Sequence, residues 1–356
     1  MLSKKRRTVK ILKQNVGVDI SKDEFKVSFW QLLDDQKTRI KGTRTFKNNL
    51  SGFKAFLNWI IKKTSADCSV QITMEATGVY HEQLTHFLYD QSYRVNVILP
   101  NMGKSYAKSL NLKTKTDKVD ANMLGQLGIE RDLFQWKPAS ENMRTIKQLC
   151  RSRVQILTEK TAIENKKHAL SNSYQPNKAV VKRMQQRIKL LEKQIKAVEL
   201  EIEQAIRQDE QLSQKVDNIC KAKGLGIITV ATVIAETNGF ELFTSRGQVV
   251  SFVGYDVVQR ESGSSIKGKT KISKKGNKYI RRALYFPAIS VVTHEPQFKQ
   301  MFERIVKKSG VKMVAYVAVQ RKILLLIYTL FKSGNVYDTN YYKNNQSQEK
   351  PELTPA

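Results

Sequence analysis

Asp117 and Asp120 are where chemistry could begin. They are two carboxylates three positions apart in Lys113-Thr-Lys-Thr-Asp117-Lys-Val-Asp120, a run that is otherwise cationic. On a helix, side chains at i and i+3 are neighbours, so both acids would share one face and could converge on one ion while Lys113, Lys115 and Lys118 meet phosphate. The same residues also fit a helix start. Thr114-Lys-Thr-Asp117 has the Ser/Thr-x-x-Asp/Glu capping spacing, and acids in a first turn suit the helix dipole. Whether further acids join them decides between the two readings. Asp19 lies in the apolar run Val16-Gly-Val-Asp19-Ile, where a buried carboxylate is costly unless paired or metal-bound, although a strand ending at a turn would also account for it. Glu75 closes a second such run, Ser69-Val-Gln-Ile-Thr-Met-Glu75. An Asp, Glu, Asp, Asp set suits Mg2+, which favours carboxylate oxygens. Two-metal phosphoryl chemistry uses such acids to hold ions that flank the attacking and leaving oxygens of an in-line displacement.

These acids need elements to carry them. Val16 to Ile20 and Phe25 to Trp30 read as a strand pair, Arg39 to Lys47 as a third strand, and Leu50 to Lys63 has its apolar residues at helical spacing. A strand to Glu75, a helix from about Tyr80 to Tyr89 and a strand from Arg94 to Pro100 follow. The order is mixed α/β with a sheet as its core. It places all four acids at element edges or within strands, and the pattern looks like the RNase H-like fold as the RuvC junction resolvase uses it.

Charge narrows the partners. Lys and Arg number 62 against 32 Asp and Glu, a formal net charge of +30. A surface this basic calls for a polyanion, nucleic acid before an anionic membrane. The basic start from Met1 to Lys10 lacks a following apolar signal region, and no run reads as long enough to span a bilayer, so a cytoplasmic protein is expected. Cys68, Cys150 and Cys220 are scattered, and the four histidines lack ligand spacing, which argues against a disulfide framework and a zinc site.

After Trp136-Lys-Pro138 the composition turns polar and helical. Val181, Met184, Ile188, Leu191, Ile195, Val198, Ile202 and Ala205 step by three and four, as a coiled-coil seam requires. Dimerisation through this seam and an antiparallel pair with the helical stretch Met143 to Leu170 are both compatible with it. Lys221-Ala-Lys223-Gly224-Leu-Gly226 sets a Gly-x-Gly turn between apolar helical segments, resembling a helix-hairpin-helix whose Gly224 and Gly226 would let the backbone approach phosphate. A plain helical hairpin fits as well. From Ile266 to Arg282, Lys267, Lys269, Lys271, Lys274, Lys275, Lys278, Arg281 and Arg282 occur with no acid among them, which reads as a phosphate track. From Ser333 the chain is polar and reads as a disordered tail.

Taken together, Gly17-Val-Asp19-Ile-Ser-Lys22, Glu75-Ala-Thr-Gly-Val-Tyr80, Lys115-Thr-Asp117-Lys-Val-Asp120-Ala, Gly224-Leu-Gly226, Glu261-Ser262-Gly263 and Ile272-Ser-Lys-Lys-Gly276-Asn277 with Arg281 resemble one family over nearly the whole chain. It is that of the DEDD transposases of bacterial insertion sequences (family one hundred and ten), also described as bridge-RNA-guided recombinases and related to the Piv DNA invertase. The family has Gln or Ser where this chain has Glu261.

The resemblance implies an α/β RNase H-like (RuvC-like) domain over residues 1–135, a helical coiled-coil middle over 136–214, a mainly α-helical transposase domain over 215–332 and a tail over 333–356. It further implies Mg2+ held by Asp19, Glu75, Asp117 and Asp120. Ser262 would attack DNA, guided by a bridge RNA, within a homodimer that assembles to a tetramer in a bacterial cytoplasm. Ser264 and Ser265 are neighbouring hydroxyls. A metal-dependent structure-specific nuclease, an invertase of the same family and a non-catalytic nucleic-acid scaffold are the alternatives.

Overall fold

The computed structural model describes residues 10–339 apart from 77, 115, 260, 263–265 and 269, and at 261, 262, 266 and 267 it describes the backbone alone. The chain divides into two compact units, Met1–Pro138 and Ala139–Ala356.

The first unit is built on strands β1 (Ile11–Ile20), β2 (Glu24–Leu33), β3 (Thr38–Lys47), β4 (Val70–Glu75) and β5 (Arg94–Ile98), in the spatial order β3-β2-β1-β4-β5. β1, β2 and β3 pair antiparallel through tight turns, whereas β4 and β5 run parallel to β1 and are reached through helices α1 (Leu50–Lys63) and α2 (Glu82–Asp90). Alternation divides the sheet into two faces. Val16, Val18, Phe25, Val27, Phe29, Ile72 and Met74 are buried in one core with Phe53, Phe56 and Ile60 of α1 and Leu84 and Leu88 of α2. Each such side chain contributes roughly 1.5–3 kcal/mol, so the register Val16↔Phe29 and Val18↔Val27 is fixed by what a one-residue slip would expose.

The sequence reading does not announce α3 (Pro100–Ser109), a short, mostly polar helix with Pro100 in its first turn. α4 (Asp117–Glu130) covers the opposite, polar face. Its N-cap is Thr116, whose hydroxyl accepts from the Val119 amide at 3.3 Å, not Thr114 as the capping pattern proposes. Both acids nevertheless fall in the first turn, so the capping and ligand readings of this stretch are compatible.

In the second unit α5 (Glu141–Ser171) and α6 (Lys178–Arg207) form an antiparallel hairpin. Ile188 and Leu191 of the seam pack with Ile163 and Ile156 of α5, while Arg153–Glu199 and Lys160–Glu192 pair across the hairpin at 2.6 and 2.9 Å. The seam is therefore covered within one chain, the second of the two arrangements its spacing allows.

Helices α7 (Glu210–Cys220), α8 (Ile227–Glu236), α9 (Arg246–Val253), α10 (Lys278–Ala283), α11 (Tyr285–His294), α12 (Pro296–Ser309) and α13 (Lys312–Ser333) build the main core of this unit. Two sequence expectations are corrected here. By length and composition α13 could cross a membrane, with a mean hydropathy of 1.6, contrary to the reading that no run qualifies. It serves instead as a core helix, with Val319, Ile323, Leu324 and Ile327 fully buried and Gln320 accepting from Tyr255 Oη at 2.8 Å. Composition also starts the disordered tail at Ser333, yet Tyr337 is buried and donates to Glu295 Oε2 at 2.8 Å, because its ring and hydroxyl both find partners; the tail from residue 340 on lies outside the described residues.

Candidate active site

The polar face of the first sheet is assembled by period-two alternation. Asn15, Gly17 and Asp19 on β1, Lys26, Ser28 and Trp30 on β2, and Thr73 and Glu75 on β4 fall on the side opposite the apolar core. Small residues then allow α4 to lie against the strands. A β-carbon at Gly17 would overlap the Gly125 amide nitrogen and the Ala121 carbonyl oxygen, and one at Gly125 would strike the Trp30 indole. The buried polar groups beneath the helix are paired: Asn15 Nδ2 donates to the Gly125 carbonyl at 2.9 Å, and Thr73 Oγ1 donates to Asn15 Oδ1 at 2.9 Å.

This packing brings the acids to one end of the sheet. Val18 pairs with Met74, so Asp19 and Glu75 stand beside each other at the C-terminal ends of adjacent parallel strands. Asp19 faces Lys26 across the β1–β2 ladder, and Lys26 Nζ lies 3.5 Å from Asp117 Oδ2 in the first turn of α4. Asp120 is one turn further along. Glu75 is confined from the other side, since a β-carbon at Gly103 of α3 would come within 2.6 Å of its Oε2.

Donor chemistry and address therefore suit a hard divalent cation, four carboxylates at one edge of a basic chain. Among the described residues, however, no group of three or more His, Cys, Asp or Glu closes into a metal-holding cluster. Lys26, beside Asp117, is absent from the sequence reading. Its signal was the hairpin register, which sets it opposite Asp19.

Ser262 belongs to the second unit. β6 (Val257–Val258) pairs with β9 (Lys271–Ile272), and β7 (Glu261–Ser262) pairs with β8 (Ile266–Lys267), Ser262 opposite Ile266. The serine thus stands at the last described rung of a two-stranded ribbon. Its side chain and that of Lys267 lie outside the described residues, as do Ser264, Ser265, Lys269 and, in the first unit, Lys115. The base of the ribbon is stitched together: the Ser273 amide donates to Asp256 O at 2.9 Å, Ser273 Oγ to Asp256 Oδ1 at 2.6 Å, the Lys274 amide to Gly254 O at 3.1 Å and the Asn277 amide to Phe252 O at 2.9 Å.

The cations of the basic run differ in what they do. Lys271, Lys274, Lys275, Lys278 and Arg282 are exposed, whereas Arg281 directs Nη1 to the Val253 carbonyl at 2.6 Å and is engaged in holding the fold. Arg282 donates to Thr158 Oγ1 at 2.8 Å. In the Gly-x-Gly turn Gly224 has φ +100°, which only glycine adopts readily, and packs against Ser290 and Val291; Gly226 begins α8 with open space around it. Lys113, Lys118, Lys221 and Lys223 are exposed, and the Lys223 amide donates to Glu295 Oε1 at 3.0 Å.

Residues 16–176 match the family model described as "Transposase" under the heading DEDD_Tnp_IS110, and residues 216–303 match "Transposase IS116/IS110/IS902 family". The chain belongs to this transposase family. The chain is also 27% identical over 344 residues to the pilin gene-inverting protein of Moraxella bovis, covering 93% of this chain and 99% of that protein. It has the same identity and coverage with the pilin gene-inverting protein of Moraxella lacunata. The first model spans all four acids and the second spans Ser262, so each unit of the transposase contributes a part that the family pattern contains. It is a DNA recombinase or transposase enzyme.

Proposed function

We propose that this transposase cuts and rejoins DNA through a phosphoserine intermediate, with Ser262 as nucleophile and with Asp19, Glu75, Asp117 and Asp120 as the ligands of Mg2+. What supports the reading is that Asp19 and Glu75 end adjacent strands and that the Gly17–Gly125 contact of α4 on β1 draws the helix bearing Asp117 and Asp120 toward them. The order β3-β2-β1-β4-β5, with three antiparallel strands followed by two parallel ones, supports an RNase H-like domain.

In the step itself Ser262 Oγ attacks the scissile phosphorus. The serine–phosphorus bond forms as the bond to the leaving deoxyribose oxygen breaks; the serine proton is released and the leaving oxygen takes one up. Attack by the hydroxyl of the incoming strand reverses the exchange. A serine hydroxyl needs activation at neutral pH, and bound metal would supply a Lewis acid at the phosphate. The covalent link keeps the energy of the broken phosphodiester for rejoining, which hydrolysis would lose.

Exposed lysines along the ribbon and the Gly-x-Gly turn would neutralise backbone phosphate. A structured guide RNA from the element would choose the target by pairing. The protein would act in a bacterial cytoplasm as a homodimer assembling to a tetramer, Ser262 of one subunit meeting the acids of another. Inversion is the form of recombination favoured by similarity to two pilin gene-inverting proteins over nearly the whole chain.

The test is to incubate protein, Mg2+, copurified RNA and labelled donor DNA, denature, and look for label that migrates with protein until protease is added. Ser262→Ala should abolish that adduct while Ser264→Ala and Ser265→Ala keep it. An adduct that survives Ser262→Ala overturns the assignment, and cleavage without any adduct favours a nuclease.

A further inference from the structure

Glu236, the last residue of α8, is a carboxylate buried to 1% exposure at its side chain. Burying a charge is costly unless it is fully paired, and here the pairing is complete. Arg151 of α5 binds it with two parallel bonds, Nε to Oε1 at 2.6 Å and Nη2 to Oε2 at 2.9 Å. Asn277 Nδ2 donates to Oε2 at 2.7 Å.

The third bond matters because of what Asn277 does with its other atoms. Its Oδ1 accepts the Tyr279 and Ile280 amides, capping α10, and its own amide donates to the Phe252 carbonyl. Gly276 just before it packs so tightly on Phe252 O that a side chain could not fit. Asn277 is thus the point where both legs of the Ser262 ribbon are tied, residues 252–256 on one side and 273–277 on the other, and Glu236 holds its side chain in a single orientation. An apolar residue at 236 could fill the space but could not fix the amide.

We infer that Glu236 is a positioning residue for the reaction, acting through Asn277 to aim the ribbon that carries Ser262. The inference rests on the reading of Ser262 as nucleophile. Misplacing a reacting group by about 1 Å can cost on the order of a hundredfold in rate, so a loosened ribbon base would be felt in chemistry more than in binding.

The experiment measures the single-turnover rate of protein–DNA adduct formation and, in parallel, DNA affinity and the thermal midpoint of the full-length protein. Asn277→Asp keeps the capping oxygen, since Asn and Asp serve about equally as N-caps, but sets a second carboxylate against Glu236 in place of the donating amide. Its adduct rate should fall by about tenfold to a hundredfold, with DNA affinity within about twofold of the parent. Combining it with Glu236→Gln reverses the polarity of the bond, the new amide donating to the new carboxylate at the cost of the Arg151 Nη2 bond to the same atom, and should recover part of the rate. The inference is overturned if Asn277→Asp forms adduct at the parental rate. It is equally overturned if rate, affinity and thermal midpoint fall together, or if the double variant stays as slow as the single one. A parent protein that forms no adduct overturns the Ser262 reading itself, and this inference with it, whereas an adduct insensitive to both changes overturns the inference alone.

Discussion

Gly17 on β1 and Gly125 on α4 meet with no room for a side chain between them, and this contact sets how close the first turn of α4 can come to the end of β1. Asp19 is two residues from the one glycine, on the same face of the strand, and Asp117 and Asp120 lie about two turns and about one and a half turns before the other. The catalytic proposal for the first unit depends on that approach.

Gly17→Ala should therefore act on stability and cleavage together. Overpacking a tight contact costs about 1–3 kcal/mol, and the obstructing atoms are backbone, which cannot swing away as a side chain can. Urea unfolding should show that loss. DNA cleavage should fall further than the folded fraction alone explains, because α4 must move outward with its acids. Wild-type stability in the variant would mean that the contact is looser than described.

Asp19→Asn and Asp120→Asn should each abolish cleavage while leaving nucleic-acid affinity nearly unchanged, since the lysines that would meet phosphate are untouched. Isothermal titration of Mg2+ should show weaker binding in both variants, independently of any DNA chemistry, and chelation should stop the parent protein in the same way. Undiminished cleavage by both variants would remove the metal assignment.

Much of the first unit was legible because its code is local. The strands alternate, α1 has helical spacing, and the acids mark the start of α4, although its cap is Thr116 and not Thr114. Lys26 and Glu236 were not legible, and for a shared reason. Lys26 acquires meaning only through its register against Asp19, and Glu236 through partners 85 and 41 positions away in sequence. Spacing along the chain reports neither. Arg281 shows the opposite failure, a cation whose charge marked it for phosphate but whose guanidinium bonds the Val253 carbonyl.

The Cys150 thiol should stay inert in the folded protein. It is 2% exposed, and burial pushes it up to about 11. At pH 8 iodoacetamide should leave it unmodified until denaturant is added. The sign of the pH effect follows from the raised value. Both folded and unfolded states hold the proton below the ordinary thiol value of 9.0, so the stabilisation is intact there, and it is lost as pH rises through about 11. Cys150→Ala should lose less stability than the parent between those limits, measured by urea midpoints; equal losses would remove the thiol from the account.

The α5–α6 seam distinguishes two ways of covering the same apolar stripe. Leu191 is 9% exposed against α5, whereas Leu190 beside it is 56% exposed. Leu191→Ala should cost about 2 kcal/mol, near the lower end for a buried leucine because the site is thinly covered, and Leu190→Ala should cost almost nothing. The ion pairs across the hairpin are partly solvated and add little. Replacing both Leu191 and Ile195 by Asp should therefore lower helicity by circular dichroism without changing the mass found in sedimentation, since each seam is closed within its own chain. A fall in mass with helicity retained would show that in the assembled protein a second copy, and not α5, covers the stripe.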